Sequence, residues 1–190
     1  MNPRYVSAGW RIPAGSRGTS LLEVLMTIII MSFGLLGLAA LQAKAYTAEF
    51  ESYQRGQALI LLADMVSRME NNTADIAGYK TTDPLGTGAT DSADCTSLTT
   101  RASIDKCEWS KAVKGASEKT SGGSNQGAMI DARGCIQETT AGTEYLVSVV
   151  WQGQSATSAP ATTCGSGLYD ADNTRRAVTT VVRVADLAAS

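Results

Sequence analysis

Glu23 is a carboxylate at the edge of a stretch, Val24 to Ala43, that runs twenty residues without a charge. At membrane depth such a group costs about 2–4 kcal/mol, less near the interface, so it calls for a cation. A cut between Gly18 and Thr19 would create one: the new α-amine of Thr19 would stand one helical turn ahead of Glu23. When a neighbouring copy packs alongside, the same carboxylate can neutralise the neighbour's amine. The plainer reading is an interfacial acid that reaches the headgroups. The second chemistry-bearing set is Cys95, Cys107, Cys135 and Cys164. An even count in an oxidising compartment implies two disulfides, with three pairings possible. Cys95–Cys107 and Cys135–Cys164 are favoured because each closes a modest loop over a Ser/Gly/Thr-rich stretch, worth about 3 kcal/mol apiece by chain entropy. Zinc is the competing use. With no CxxC spacing and no histidine, no metal site is expected.

The other polar residues support little chemistry. The 190 residues include no histidine, which removes His-based triads and proton shuttles. No nucleophile–base motif, metal cluster or phosphate loop is evident, so the chain is read as a non-enzyme without a cofactor. The net charge of −2 and a pI near 5.2 argue against a nucleic-acid surface. Lys106, Lys111, Lys114, Lys119, Arg175 and Arg176 could touch DNA or an acidic partner. Glu108, Glu118, Asp170 and Asp172 are interspersed, however, so a mixed solvated surface is the default. Asp170-Ala-Asp172-Asn173 has the alternating oxygens of a calcium loop but lacks its glycine and distal glutamate, and reads as a solvated turn.

The elements that carry these residues follow from patterning. Arg4, Arg11 and Arg17 precede the apolar run with no acid among them, so this flank stays in the cytoplasm and the rest is exported. The run spans roughly 30 Å at about 1.5 Å per residue, one hydrocarbon core, and exceeds a secretory signal. It therefore reads as a retained anchor, with Gly34 and Gly37 allowing another backbone to come close. Beyond Leu41 the helix turns amphipathic: Tyr46, Phe50, Tyr53, Gln57 and Ile60 step by three and four, as do Leu59, Leu62, Val66 and Met69. Over 53–70 this stripe is expected to be core. A helix from about 20 to 70, stopping at Asn71-Asn72, would be roughly 75 Å long. Residues 71–100 read as loop, about 101–116 as a short helix, and 117–127 as a connector. Strands are expected near 128–130 and 134–137, and most clearly at Tyr145–Trp151 and Ala177–Val184, where Val178, Val182 and Val184 share a face with Thr180.

Gly18, Ser20-Leu-Leu-Glu23 and the long apolar helix together resemble the type IV prepilin signature, shared by pilins and type II secretion pseudopilins. The resemblance covers Arg17 to about Leu41, with Thr19 where the family usually has Phe. A narrower likeness lies in Gln57-Ala-Leu-Ile-Leu-Leu-Ala-Asp64-Met65-Val-Ser-Arg68-Met69-Glu-Asn71, which resembles the A-x-x-L-A-x-D-M-x-x-R-M-x-x-N segment of the PilV family of minor pilins, the pilus modification proteins. Ser32-Phe-Gly-Leu-Leu-Gly-Leu-Ala-Ala-Leu-Gln42 is similar to that family too.

The resemblance implies an α+β, pilin-like fold: one long N-terminal helix, transmembrane in its first half, packed on a C-terminal antiparallel sheet. The expected organisation is a leader over 1–18 removed by prepilin peptidase, a membrane and assembly helix over 19–43, and an amphipathic continuation over 44–71. A disulfide-stabilised periplasmic head follows over 72–190. Peptidase would cut between Gly18 and Thr19 and methylate the Thr19 amine. Glu23 would be the assembly carboxylate. The implied partners are other minor pilins, the major pilin, the inner-membrane assembly platform, membrane lipid and a large tip adhesin, in service of pilus biogenesis, adhesion and twitching motility. The chain would cross the inner membrane once before entering the fibre. The alternatives are a type II secretion pseudopilin and a single-pass anchored binding module.

Overall fold

A computed structural model describes Gly18, residues 20–115, 121–122, Gly127 and 129–184. Thr19, Glu118, Lys119, residues 1–17 of the expected leader and most of the expected 117–127 connector lie outside these residues. The chain divides into two compact units, one ending at Ala45 and the other beginning at Tyr46.

Helix α1, Leu21–Glu70, is one unbroken helix. No proline interrupts it, and Ala, Leu, Met and Ile dominate its composition, all residues that lose little freedom in a helix or are carried by packing. In the first unit its side chains are exposed, and an 18-residue window reaches a mean hydropathy of 2.5, long and apolar enough to cross a membrane. Its hydroxyls are already satisfied: Thr27 Oγ1 donates to Val24 O at 2.8 Å and Ser32 Oγ to Ile28 O at 2.7 Å. A hydroxyl folded onto its own helix enters hydrocarbon at little cost.

In the second unit, α1 buries Gln54, Ala58, Leu62, Met65 and Met69, a stripe stepping by three and four. This corrects the expected core face. Tyr53, Leu59 and Ile60 point outward, Gln57 and Val66 are half-buried, and Leu62 and Met69 alone of the second series are fully inside. The buried stripe meets a four-stranded antiparallel sheet in sequential order: β1 (Leu85–Gly86), β2 (Ile130–Thr140), β3 (Glu144–Gln152) and β4 (Arg175–Arg183). Helix α2, Arg101–Val113, starts from Thr100, whose side chain accepts from Ser103 N, and covers the sheet beside α1.

Alternation places Tyr145, Val147, Val149 and Trp151 of β3 and Val178 and Val182 of β4 in the core with the helices. Trp109 of α2 fills the space above Gly134 of β2, where a Cβ would run into the indole ring. Trp109 Nε1 also donates to Leu61 O at 2.8 Å, tying α2 to α1. The opposite sheet face carries a smaller cluster of Cys135, Val150, Cys164 and Tyr169, with Ala177 against it. Residues 71–100 are less of a loop than expected. They hold a 3-10 segment at Thr73–Tyr79, the two-residue β1 and another 3-10 turn at Cys95–Ser97.

Candidate functional site

Two regions carry the sequence-singled residues. In the first unit, Glu23 sits in the first turn of α1, where Glu23 N and Val24 N donate to Ser20 O at 2.9 and 3.2 Å. An acid suits that end of the helix dipole. Among the described residues no cation pairs with Glu23. Gly18 is exposed just upstream. Cβ atoms placed on Gly34 and Gly37 would meet nothing, so both positions are flat, open spots on an apolar helix.

The second region is the helix–helix junction built by Asp64-Met65…Arg68-Met69. Met65 and Met69 are fully buried; Arg68, between them, reaches α2, and Asp64, one residue before Met65, pairs with Arg68 along α1. Arg68 bonds Asp64 at 3.1 Å, Asp105 at 3.0 Å and Glu108 at 2.6 Å. Asp105 is only 1% exposed and takes further bonds from Arg101 at 2.8 Å and the Tyr79 hydroxyl at 2.5 Å. Burial works against the Arg68 charge, but hydrogen bonds to Glu108, Asp64 and Asp105 outweigh it and raise its pKa above the ordinary arginine value. Burial pushes the Tyr79 hydroxyl up to about 12, with the Asp105 bond adding to the rise. Asn71 Nδ2 donates to Ser67 O at 2.7 Å and closes the helix end. The motif's polar residues are thus a joint between α1, α2 and the following 3-10 segment. Sequence periodicity missed Asp105 and Tyr79, since nothing local marks an acid of α2 as the partner of Arg68.

The cysteines form two bridges, Cys95–Cys107 with Cα atoms 5.6 Å apart and Cys135–Cys164 at 5.8 Å. The first holds the 3-10 turn at Cys95 against α2. The second holds the 153–172 segment on the outer sheet face, where a buried cation finishes the clamp. Arg175, 2% exposed, donates to the carbonyls of Thr162 at 2.8 Å and Cys164 at 2.9 Å and pairs with Asp172 at 2.7 Å. Asp172 is therefore committed to arginine, and no group of three or more metal-ligating side chains occurs among the described residues. Arg133 stacks over Tyr169 at 5.0 Å and pairs with Asp131 at 2.6 Å. Burial pushes the Tyr169 hydroxyl up to about 12, against the pull of Arg133.

The basic residues read as a solvated surface are mostly internal ties, a second correction. Lys111 Nζ donates to Ala93 O at 2.8 Å. Lys114 Nζ donates to Ala89 O at 2.5 Å and pairs with Asp91 at 2.6 Å. Lys106 Nζ reaches Lys80 O at 3.3 Å, and burial lowers its pKa. Arg176 pairs with Glu51 of α1 at 3.2 Å. Short-range charge mixing resembles a wet surface, but loop carbonyls brought back by the fold supply the acceptors.

One hollow belongs to neither region. A cavity of about 400 Å³ lies between Glu51 and Arg55 of α1 and Trp151, Arg176 and Ala177 of the sheet. Arg55 makes no ion pair among the described residues, and the buried Trp151 Nε1 has no acceptor there. No family model, curated protein or solved structure matches the chain.

Proposed function

We propose that the chain is a minor subunit of a type IV pilus, held by its N-terminal helix in the inner membrane and then carried into the fibre. The observation that carries this reading is α1 itself, one helix that is bare and apolar over its first half and packed on a sheet over its second. A lone anchor needs only a membrane-length segment. A subunit that stacks also needs an apolar surface beyond the bilayer, and Tyr46, Tyr53, Leu59 and Ile60 supply one outside the core.

In this reading, prepilin peptidase cuts between Gly18 and Thr19, and Glu23 meets a neighbour's Thr19 amine as the helices bundle. That pairing removes the cost of burying Glu23 alone, about 2–4 kcal/mol, and sets the axial register of adjacent subunits. Prepilin peptidase and the assembly platform act on the membrane form. Other minor pilins, the major pilin and a tip adhesin are the partners of the assembled form. The test is N-terminal mass spectrometry of protein from sheared surface fibres. A chain that begins at Thr19 and sediments with fibres supports the reading. A chain that keeps residues 1–18 and never leaves the membrane overturns it, and recovery with secretion components would make it a pseudopilin.

A further inference from the structure

β4 is the last strand of the sheet, and its hydrogen-bonding parity is fixed at both ends. Gly153 N donates to Thr174 O and Val184 N to Thr143 O, so Thr174 and Val184 bond toward β3. Antiparallel pairs alternate, and the register is regular from Gln152↔Arg175 to Glu144↔Arg183. Arg176, Val178, Thr180 and Val182 therefore also bond toward β3. The N–H and C=O groups of Ala177, Thr179, Val181 and Arg183 point away from the sheet. No described residue pairs with them. Upstream the edge is closed, since Arg175 N donates to Asp172 O and Thr157 N to Asn173 O.

This open edge lacks most of the usual protections and keeps only a charge, Arg183, at its far end. It has no proline, no bulge and no covering element among the described residues, and Val181 is 47% exposed at its middle. Strands left this way accept another strand. The end at Ala177 also borders the cavity that holds Arg55 and the Trp151 indole. Glu51 and Arg176 neutralise each other there, so the cavity keeps one cation and one N–H donor without an acceptor.

We propose that the Ala177–Arg183 edge binds an extended segment of another protein, rich in β-branched residues, as a fifth antiparallel strand, with a carboxylate at its C-terminal end entering the Arg55 cavity. A second copy of the chain is the poorer occupant. Antiparallel pairing of two β4 edges requires a two-fold axis normal to the sheet. That axis runs the two α1 helices in opposite directions, which chains anchored by the same end of α1 in one bilayer do not allow. The strand-binding edge and the cavity do not depend on the pilus reading; only the ranking of a second copy as the poorer occupant rests on that reading's membrane anchor.

The test uses the full chain in detergent micelles and a fluorescent peptide, TVTVTVD, with the same peptide ending in lysine as control; binding is read by anisotropy. The acid-ended peptide should bind and the lysine-ended one should bind about tenfold more weakly. Thr179→Pro removes an outward N–H without touching the β3 ladder, and should abolish binding. Arg55→Glu, at an exposed helix position that leaves the fold intact, should invert the preference between the two peptides. No binding of TVTVTVD by the wild-type chain, or equal binding by Thr179→Pro and Arg55→Glu, overturns the proposal. So does a concentration-dependent wild-type dimer that Thr179→Pro abolishes, because the edge then serves a second copy.

Discussion

Replacing Arg68 with methionine keeps the aliphatic stem and removes the charge that α2 is built around. Breaking one side of a buried ion pair costs about 3–5 kcal/mol, because the remaining charge is stranded. Here the loss is smaller for two reasons. Arg68 is 24% exposed, so water already screens part of the interaction. Asp105 also keeps Arg101 and Tyr79. The expected loss for Arg68→Met is about 2–3 kcal/mol. The assay is urea unfolding of the full chain in detergent, followed by tryptophan fluorescence, to which Trp109 at the α1–α2 junction contributes. A double-mutant cycle isolates the pair. Once Asp105→Asn has removed the buried charge, Arg68→Met should cost at least about 1 kcal/mol less than it does in the wild type. Added salt should change little, since Asp105 is shielded from solvent. If Arg68→Met stays within about 0.5 kcal/mol of wild type, or the two losses simply add, the junction is not held by this charge.

Other outcomes follow from the same contacts. Gly134→Ala places a Cβ into the Trp109 ring and should destabilise by about 1–3 kcal/mol in the same urea assay, with the Trp109 emission shifting as the ring moves. Removing Cys135–Cys164, which spans 29 residues, should cost about 3.5 kcal/mol, against about 3 kcal/mol for Cys95–Cys107, which spans 12; paired Cys→Ser variants compare them. Tyr79 has a folded pKa of about 12, above its ordinary 10, so the folded state holds that proton more tightly. Its contribution is present below pH 10 and is lost as pH rises toward 12, and Tyr79→Phe should flatten that part of the stability curve. Glu23→Ala should leave the head's unfolding unchanged yet deplete the protein from sheared fibres, as measured by immunoblot; normal incorporation counts against the amine pairing.

Much of the architecture was legible because it rests on period. Tyr145–Trp151 is a nearly continuous apolar run with β-branched residues and is buried on both sides at its centre. The α1 pattern ran without proline to the Asn71-Asn72 stop. What period could not settle was which face of α1 turns inward. Two apolar stripes share the helix, and the inner one runs through Gln54 and Ala58, which hydrophobicity ranks below Tyr53 and Ile60. The sheet selects small or flexible side chains there because they allow close approach. The polar network was least legible. Arg68 finds Asp105 across 37 residues, and Arg175 finds the Thr162 and Cys164 carbonyls through a loop with no periodicity at all. Cysteine loop lengths pointed to the two bridges that form, whereas the open edge of β4 depends on hydrogen-bond parity, which exists only once strands are paired.

Two lysines at the end of α2, Lys111 in its last turn and Lys114 just beyond it, have a practical consequence for testing whether this chain sits among neighbours. Lys111 and Lys114 hold loop oxygens at 2.8 and 2.5 Å within a single copy. Amine-reactive footprinting of an intact assembly would find them sluggish even if nothing were docked over them. Their reactivity in an isolated copy is therefore the baseline, and only a further slowing beyond it marks a true intersubunit contact.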